Sequence, residues 1–428
     1  MEPQASADAD AGPENSWVRK LGPGLITGAA DDDPSGIATY SQAGAQFGFT
    51  MLWTVLLTFP LMVAIQVVSA RIGRVTGHGL AGNIRQHYPA WLLYGLVLLL
   101  VVANTINIAA DVSAMGEAAR LLLGGRAHVY TLLFGTVSLL LQMFVPYTRY
   151  VPWLKWLTLA LLAYVGVVFT VHIPWIQVLT ATVWPHIAWN AQYITTMVAV
   201  FGTTISPYLF FWQASQEVEE QQATPGARPL IEAPNQARAN FRRIRVDTTI
   251  GMAFSNLVAF FIILTTALTL HGSGVTDIQT SAQAASALKP VAGEMAFALF
   301  SLGIIGTGFL AVPVLAGSAA YAMAGAFNWQ RGLELPPSRA KGFYSIIALS
   351  TLIGMALGFT AIDPIKALFW SAVINGVMAV PIMAVMMLMA GSRAVMGDFM
   401  VSRQLRWTGW AGTALMALAV FAMLATTL

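Results

Sequence analysis

Long apolar runs separated by short polar segments fill the chain from about residue 22 to its end. Eleven runs reach the roughly 20 residues that an α-helix needs to cross a bilayer. They lie at about 22–46, 49–72, 90–122, 129–146, 153–173, 193–216, 244–270, 291–326, 342–361, 364–390 and 405–427. The pattern predicts an all-α, polytopic membrane protein with about eleven transmembrane helices.

The first run is interrupted near its middle by Asp31, Asp32, Asp33, Pro34, Ser35 and Gly36. Acids at membrane depth are costly and usually mark the path of an ion or substrate. A proline and a glycine beside them predict a helix that is broken at this point, with freed backbone carbonyls facing a cavity.

The sixth run contains a second interruption, where Thr203, Thr204 and Ser206 precede Pro207. Pro207 taken alone is also compatible with a simple kink. However, the start of the sixth run lies five helices after the start of the first, and an odd repeat length inverts the second copy relative to the first. Broken helices at corresponding positions of inverted halves indicate a transporter's substrate site.

This symmetry predicts a transporter core at 19–390 with inverted repeats at about 22–173 and 193–390. The segment 391–428 adds the eleventh helix. Residues 1–18 are polar and acidic, without the order of a cleaved signal peptide, and are predicted to be a disordered cytoplasmic tail.

Composition supports a membrane protein and excludes several classes. Of the 428 residues, 57% are hydrophobic and 10% are charged, against about 25% charged in soluble domains. The net charge of +3 argues against nucleic acid as a partner, and no obligate protein partner is implied. The absence of cysteine excludes disulfides, thiolate metal sites and a cysteine nucleophile. No resident cofactor is expected.

Basic residues predict the orientation. With the N-terminus inside, 18 of the 22 Lys and Arg residues fall on the inner side and 4 on the outer side. The expected location is the inner (cell) membrane, with a cytoplasmic N-terminus and an external C-terminus. The polar segment 217–245 is interpreted as a solvated cytoplasmic loop, and the alternative is a regulatory or lipid head-group site.

The interrupted runs offer only oxygen atoms as ligands for a metal ion. Asp33, Ser35 and Ser206 provide carboxylate and hydroxyl groups, and unwound carbonyls are expected near Asp33 and Thr203. Oxygen ligands suit hard cations such as Mg²⁺, Ca²⁺ or Mn²⁺. Mg²⁺ dehydrates reluctantly and is often held by one or two carboxylates while it keeps several waters. A partly hydrated Mg²⁺ therefore fits such a site.

Further polar residues are candidates for the surroundings of the ion or its path. Asp31 and Asp32 are interpreted as lining a vestibule, where they raise its negative potential. Asn104 and Asp111 are seven residues apart and share one face of the third helix. Asp111 is expected either to shape the ion path or to pair structurally. Asn375 is expected either to bond across helices or to weaken its helix near the site.

The stretch Gly22-Pro23-Gly24-Leu25-Ile26-Thr27, leading to Asp33-Pro34-Ser35-Gly36, resembles the first helix of the NRAMP divalent-metal transporters. That family has an Asp-Pro-Gly-Asn break in helix one and a Met-Pro-His break in helix six. The resemblance covers most of 20–390. It implies the LeuT-type fold, a 5+5 inverted repeat with helices 1 and 6 broken.

The resemblance also assigns roles to individual residues. Asp33 and the Thr203 carbonyl match metal-ligand positions of the family. Ser206 stands at the position of the methionine and is expected to reach the metal directly or through a bound water. Gly36 replaces the family's asparagine, and Tyr208 replaces its histidine.

The third helix departs from the family as well. Asp111 matches its aspartate, but Ala114 stands where a further acid is expected and Asn104 where an acid is often found. The His and acid positions are linked to proton movement in the family. The whole pattern resembles the NRAMP-related magnesium transporters, a prokaryotic branch, and implies a larger site, a hydrated Mg²⁺ and no proton coupling.

The expected function is therefore Mg²⁺ import by alternating access, driven by the membrane potential. A dication gains about 4.6 kcal/mol over 100 mV, twice the value for one charge. The main alternative is a proton-coupled Mn²⁺ or Fe²⁺ symporter, which the lost methionine and histidine disfavour. An Mg²⁺-dependent intramembrane enzyme is disfavoured, because it would need a second acid-rich motif at the site and the sequence has none. A sodium-coupled amino-acid carrier is disfavoured, because the three acids beside the first break would repel the carboxylate of its substrate.

Overall fold

The computed structural model describes residues 22–146, 149, 159–360 and 363–427. All regular secondary structure within these residues is helical. The predicted tail at 1–18 and the first part of the fifth predicted span lie outside them.

The described residues form eighteen α-helices, which we number in chain order. They are α1 (Pro23–Asp31), α2 (Pro34–Phe47), α3 (Leu52–Thr76), α4 (Leu80–His87), α5 (Ala90–Leu123), α6 (Ala127–Phe144), α7 (Leu162–Val167), α8 (Trp175–Val183), α9 (Ala191–Thr204), α10 (Pro207–Ala223), α11 (Ala237–Thr269), α12 (Ser281–Ser286), α13 (Lys289–Ala292), α14 (Ala296–Phe327), α15 (Lys341–Leu357), α16 (Pro364–Ala390), α17 (Arg393–Met396) and α18 (Arg403–Thr427).

By length and composition, eight stretches of the described residues are apolar and long enough to cross a membrane. The first of them joins α2 and α3, so the eight stretches cover nine of the eleven predicted spans. The ninth predicted span is α15, which has 17 residues, and the fifth lies partly outside the described residues. The chain is a multi-pass membrane protein.

The segment 217–245 differs from the solvated loop that the sequence predicts. Helix α10 continues to Ala223 and α11 begins at Ala237, so most of the segment is helical. Glu217 is fully buried and forms an ion pair with Arg243 of α11. The opposite charges pair across the two helices and hold their ends together, whereas most of the connection at 224–236 is exposed.

Both predicted breaks are present. Asp32 and Asp33 separate α1 from α2, and Ile205 and Ser206 separate α9 from α10. A proline follows each break at the first helical position, where its fixed φ suits a helix start and its missing N–H leaves no bond unmade. At each break the helical hydrogen bonding stops and a new helix begins, so the breaks are true interruptions and not simple kinks.

Close backbone contacts hold the half-helices beside the breaks. A Cβ added to Gly28 of α1 would lie 2.3 Å from the backbone of Gly251 in α11. A Cβ added to Gly202 of α9 would lie 2.2 Å from the carbonyl oxygen of Ala372 in α16. Only glycine permits such approaches, and they fix both breaks in the interior of the helix bundle.

Candidate metal-ion site

Asp33 is the central residue of the first break. Its Oδ1 accepts a hydrogen bond of 2.6 Å from the backbone N–H of Gly36 and so caps the N-terminus of α2. Its Oδ2 accepts bonds of 3.3 Å from the Asn107 amide and from the Tyr208 hydroxyl. Only 2% of the residue is exposed. A carboxylate has about four acceptor positions, so these three donors orient Asp33 and leave capacity for a cation.

The second break supplies hydroxyl and carbonyl oxygens. The Ser206 hydroxyl lies 2.7 Å from the carbonyl oxygen of Thr203 and 3.0 Å from that of Gly202, and it donates its single proton to this pair. A carbonyl oxygen has two lone pairs. The Thr203 carbonyl therefore retains one acceptor position for a metal ion, and the Ser206 oxygen keeps its own lone pairs.

The two breaks meet at Gly36. A Cβ added to Gly36 would lie 3.2 Å from the Thr203 hydroxyl and 3.4 Å from Asp33 Oδ1. Glycine thus leaves space between the carboxylate of the first break and the hydroxyl of the second. A longer side chain here would fill the gap that separates the candidate ligands.

Tyr208 joins the breaks directly. Its hydroxyl lies 3.2 Å from the carbonyl oxygen of Ala30 at the end of α1 and 3.3 Å from Asp33 Oδ2. The side chain is fully buried. Since a phenol has one proton to donate, Ala30 and Asp33 share it, and the start of α10 is tied to the end of α1.

Helix α5 adds two polar groups beside Asp33. Asp111 is fully buried, and neither of its carboxylate oxygens has a hydrogen-bond partner among the described residues. It lies close enough to Asp33 for the two negative charges to repel. Asn107, one turn earlier on the same face, bonds Asp33 through its nitrogen, whereas its Oδ1 is unpartnered. Buried charges are normally paired or bound to metals, so this arrangement favours a cation.

Asp31 and Asp32 do not line a solvent-filled vestibule, and that interpretation is wrong for this structure. They are only 1% and 3% exposed, because the end of α1 turns both side chains towards α11. The Ser255 hydroxyl of α11 lies 2.6 Å from Asp31 Oδ2 and 3.0 Å from Asp32 Oδ1. One hydroxyl proton serves both carboxyl groups, so these acids form a separate buried cluster.

Three other predicted residues occupy helix contacts. The Ser35 hydroxyl donates to the carbonyl of Leu368 in α16 at 3.1 Å. The Asn104 amide donates to the Ser318 hydroxyl of α14 at 2.7 Å. Asn375 is buried in α16 with its Oδ1 unpartnered. Ser35 and Asn104 connect helices, and a role for any of the three in the ion path stays a prediction.

Among the residues that the structure describes, no three His, Cys, Asp or Glu side chains converge on one metal position. Asp33, Thr203, Ser206 and Tyr208 do come together. The direct ligands of a cation would therefore be one carboxylate with hydroxyl, carbonyl and water oxygens.

The sequence assigned no role to Asn107 or to the Thr203 hydroxyl at this site, and it did not identify Ser255 as the partner of Asp31 and Asp32. A signal existed for Asn107, because it lies four residues before Asp111 and so on the same helix face. Nothing local distinguishes Ser255, whose partners come from a helix more than 200 residues earlier.

Access to this region differs between the two ends of the molecule. A cavity of about 820 Å³ opens where α2 ends and α9 begins, and its walls include Gln42, Gln46, Gln192, Thr195 and Thr196. Its lining is mixed, with these amide and hydroxyl groups beside aromatic side chains such as Phe369 and Trp370 and the charged pair Asp277 and Lys366. Asp33 lies deeper in the bundle and is almost completely covered.

The opposite end is closed. Asp247 of α11 accepts hydrogen bonds from the backbone N–H groups of Gly24 (2.7 Å) and Leu25 (3.2 Å) at the start of α1. Arg243 pairs with Glu217 and Glu220 of α10, the second at 3.0 Å. These contacts join α1, α10 and α11 and close this end of the helix bundle.

Two broken helices that meet at a buried acid are the arrangement of a membrane transporter's substrate site. The profile described as natural resistance-associated macrophage protein-like, or Nramp, matches residues 24–426. The chain therefore belongs to the Nramp family. The predicted NRAMP resemblance is confirmed at this level, and the chain is a divalent-metal transporter rather than an enzyme.

Relatives and solved structures agree with this assignment. The chain is 27% identical over 399 residues to the divalent metal cation transporter MntH of Klebsiella pneumoniae subsp. pneumoniae, covering 91% of this chain and 90% of that protein.

A manganese transporter from Eremococcus coleocola has a TM-score of 0.74 at 15% identity, with 97% of this chain and 90% of that chain covered. The transporter MhsT, solved with L-phenylalanine, has a TM-score of 0.58 at 13% identity and covers 95% and 98%. The predicted LeuT-type fold is thereby confirmed.

Proposed function

We propose that this protein imports partly hydrated Mg²⁺ by alternating access, driven by the membrane potential and without coupled proton movement. The observation that carries this proposal is the meeting of the two breaks at Gly36, where the Thr203 hydroxyl lies across from the Asp33 carboxylate. The second break offers hydroxyl and carbonyl oxygens of Thr203 and Ser206 and no sulfur. Mg²⁺ prefers oxygen ligands and keeps several of its waters.

The small number of protein ligands supports a hydrated ion. Asp33 is the one carboxylate that lies between the two breaks, and Gly36 leaves room beside it. Waters would fill the remaining positions of an octahedral shell. Asp111 is a second buried carboxyl group close by, which in its ionised form would stabilise a dication without contacting it directly.

The open cavity supports an entry route from outside the cell. We infer that the N-terminus is cytoplasmic and that the protein lies in the cell membrane, because the positive-inside rule assigns the end with Arg71, Arg74 and Arg243 to the cytoplasm. The cavity then faces outwards. Its Gln and Thr side chains offer oxygen atoms to a cation that still carries waters.

The absence of proton coupling rests on two substitutions relative to the family. Tyr208 stands at the histidine position and donates its proton to Ala30 and Asp33. Ala114 carries no titratable group where the family has an acid. A membrane potential of 100 mV supplies about 4.6 kcal/mol to a dication, which is sufficient to drive accumulation without protons.

A second candidate is a proton-coupled Mn²⁺ symporter. The names of the relatives favour it, since one is a divalent metal cation transporter and another a manganese transporter. The unpartnered carboxyl group of Asp111 also offers a proton-binding position next to Asp33.

The test is metal uptake into proteoliposomes under an imposed potential, with internal pH recorded for Mg²⁺ and for Mn²⁺. We expect Mg²⁺ influx without acidification, and its loss in Asp33→Ala. Glu232→Ala is the matched control, because Glu232 is an exposed acid outside both breaks and outside the cavity. Manganese-selective influx with proton entry would replace the magnesium proposal by the symporter.

A further inference from the structure

A positively charged junction lies where α3 and α11 meet, at the same end of the molecule as the closed contacts of α1. Val67 and Ala70 of α3 pack against Ile244 of α11, and Leu405 of α18 packs on this small cluster. We call Arg71, Phe241 and Arg245, which extend the contact, the basic junction.

Arg71 is the buried member of the basic junction. It is 9% exposed, and its guanidinium carbon lies 4.1 Å from the centre of the Phe241 ring. Its Nε is buried without a hydrogen-bond partner. Among the described residues, its side chain forms neither an ion pair nor a hydrogen bond. Burying an unpaired cation is costly, so this geometry indicates that an anion completes the site.

The charge that acts on Arg71 has the wrong sign to neutralise it. Arg245 lies close enough to repel it and is itself exposed. Arg243, on the other side of the same helix, contrasts with both because it pairs with Glu217 and Glu220. The chain thus neutralises Arg243 at this end, whereas Arg71 and its neighbour Arg245 form no ion pair among the described residues.

The surroundings of the basic junction are those of a lipid-facing surface. Continuing along α11, Val246, Ile250 and Leu257 are 49%, 56% and 53% exposed and lie on one helix face. Trp407 of α18, two residues after Leu405 and on the outward side of that helix, is 67% exposed. Tryptophan is typical of the head-group level of a membrane. A phosphate at the basic junction would therefore have its acyl chains along exposed apolar side chains.

We propose that the basic junction binds the phosphate group of an anionic phospholipid. Basic pockets between helices on the cytoplasmic side are suited to such head groups. The planar guanidinium of Arg71 can bond two phosphate oxygens in parallel, and Arg245 supplies the second charge at the surface. This inference concerns α3 and α11 and is independent of which metal the centre carries.

The experiment measures retention of phosphatidylglycerol by the purified full-length protein, using native mass spectrometry and titration in mixed phosphatidylcholine nanodiscs. We expect the double variant Arg71→Gln/Arg245→Gln to bind phosphatidylglycerol about 30-fold more weakly, given the usual contribution of each surface arginine. Arg339→Gln/Arg393→Gln removes the same charge from exposed positions and should leave binding unchanged.

Two further arms keep the test decisive. Arg245→Gln alone alters an exposed residue, so folding is preserved, and it should weaken binding about fivefold. Millimolar inorganic phosphate should not displace the lipid, because it lacks the acyl chains. Equal binding by the wild type, by Arg245→Gln and by the double variant Arg71→Gln/Arg245→Gln would overturn the proposal. Displacement by inorganic phosphate would overturn it as well. So would lipid retention that appears only after residues 1–18 are removed, because the acidic side chains of that segment would then be the anion at the basic junction.

Discussion

The two breaks have nearly the same backbone but opposite side-chain chemistry. Before each break the last residue has a ψ near +55°, with 53° at Asp32 and 61° at Ile205. The next residue, Asp33 or Ser206, is extended, and a proline then begins the second half-helix. This similarity is what an inverted repeat predicts, since both halves use one solution for interrupting a helix.

The side chains at the extended position differ in the direction of their bonds. The Asp33 carboxylate bonds forwards, to the N–H of Gly36 in the helix that follows. The Ser206 hydroxyl bonds backwards, to carbonyls of the helix that precedes it. The first break therefore contributes negative charge and the second contributes dipoles. A cation between them meets a fixed charge on one side and an adjustable set of oxygens on the other.

The largest effect is expected from removing the charge of the first break. Asparagine at position 33 can still accept the bond from Gly36, because Asn is as good an N-cap as Asp. Asp33→Asn therefore separates the charge from the cap. We expect divalent-metal uptake to fall at least about 100-fold, with normal protein stability, as measured by flux and thermal unfolding. Uptake near the wild-type rate would show that the charge is dispensable.

A change of metal preference is expected from the second break. Ser206→Met introduces a thioether, a soft ligand that favours transition metals over Mg²⁺. We expect the ratio of Mn²⁺ to Mg²⁺ uptake to rise about tenfold. Ser206→Ala is the control, since it removes the hydroxyl without adding sulfur. If both variants change the ratio equally, sulfur is not the determinant.

A smaller effect is expected from separating the two breaks. Tyr208→Phe removes the hydroxyl that Ala30 and Asp33 share. A hydrogen bond of this kind contributes about 1 kcal/mol, so we expect uptake to fall about fivefold. The metal preference should not move, because neither set of candidate ligands is altered. A changed preference in the same flux assay would make Tyr208 a ligand.

The smallest effect on transport is expected at the cluster of Asp31, Asp32 and Ser255. Ser255→Ala leaves two buried acids without their shared partner, which should lower the free energy of unfolding by about 1–3 kcal/mol. Uptake by the folded protein should change less than about twofold, since these acids face α11 rather than the second break. A large loss of uptake at unchanged stability would assign the cluster to the ion path.

The sequence was sufficient for those features that depend on local pattern. Apolar run lengths located the helices, and the proline-containing interruptions located both breaks. Since Asp33, Thr203, Ser206 and Tyr208 lie at the breaks, their proximity followed from the repeat symmetry. Their roles as ligands or neighbours of the metal stay predictions.

Features set by tertiary packing were beyond local pattern. Asp31 and Asp32 were expected to face water, but the turn at the end of α1 directs them into α11. The segment 217–245 was interpreted as a loop, because its charges appear solvated until Glu217 and Arg243 are seen to pair. Asn104 and Ser35 are engaged by α14 and α16, and no spacing along the chain specifies such partners.

The contact between α1 and α11 has a consequence for the thermodynamics of opening. Gly28 and Gly251 place peptide groups against peptide groups there, and Asp247 holds two N–H groups at the end. Separating α1 from α11 at this contact would expose mainly polar backbone to water rather than large apolar side chains. Apolar hydration raises the heat capacity and polar hydration lowers it. The rate at which the closed end opens should thus follow a nearly straight Arrhenius line, unlike a step that exposes a hydrophobic core.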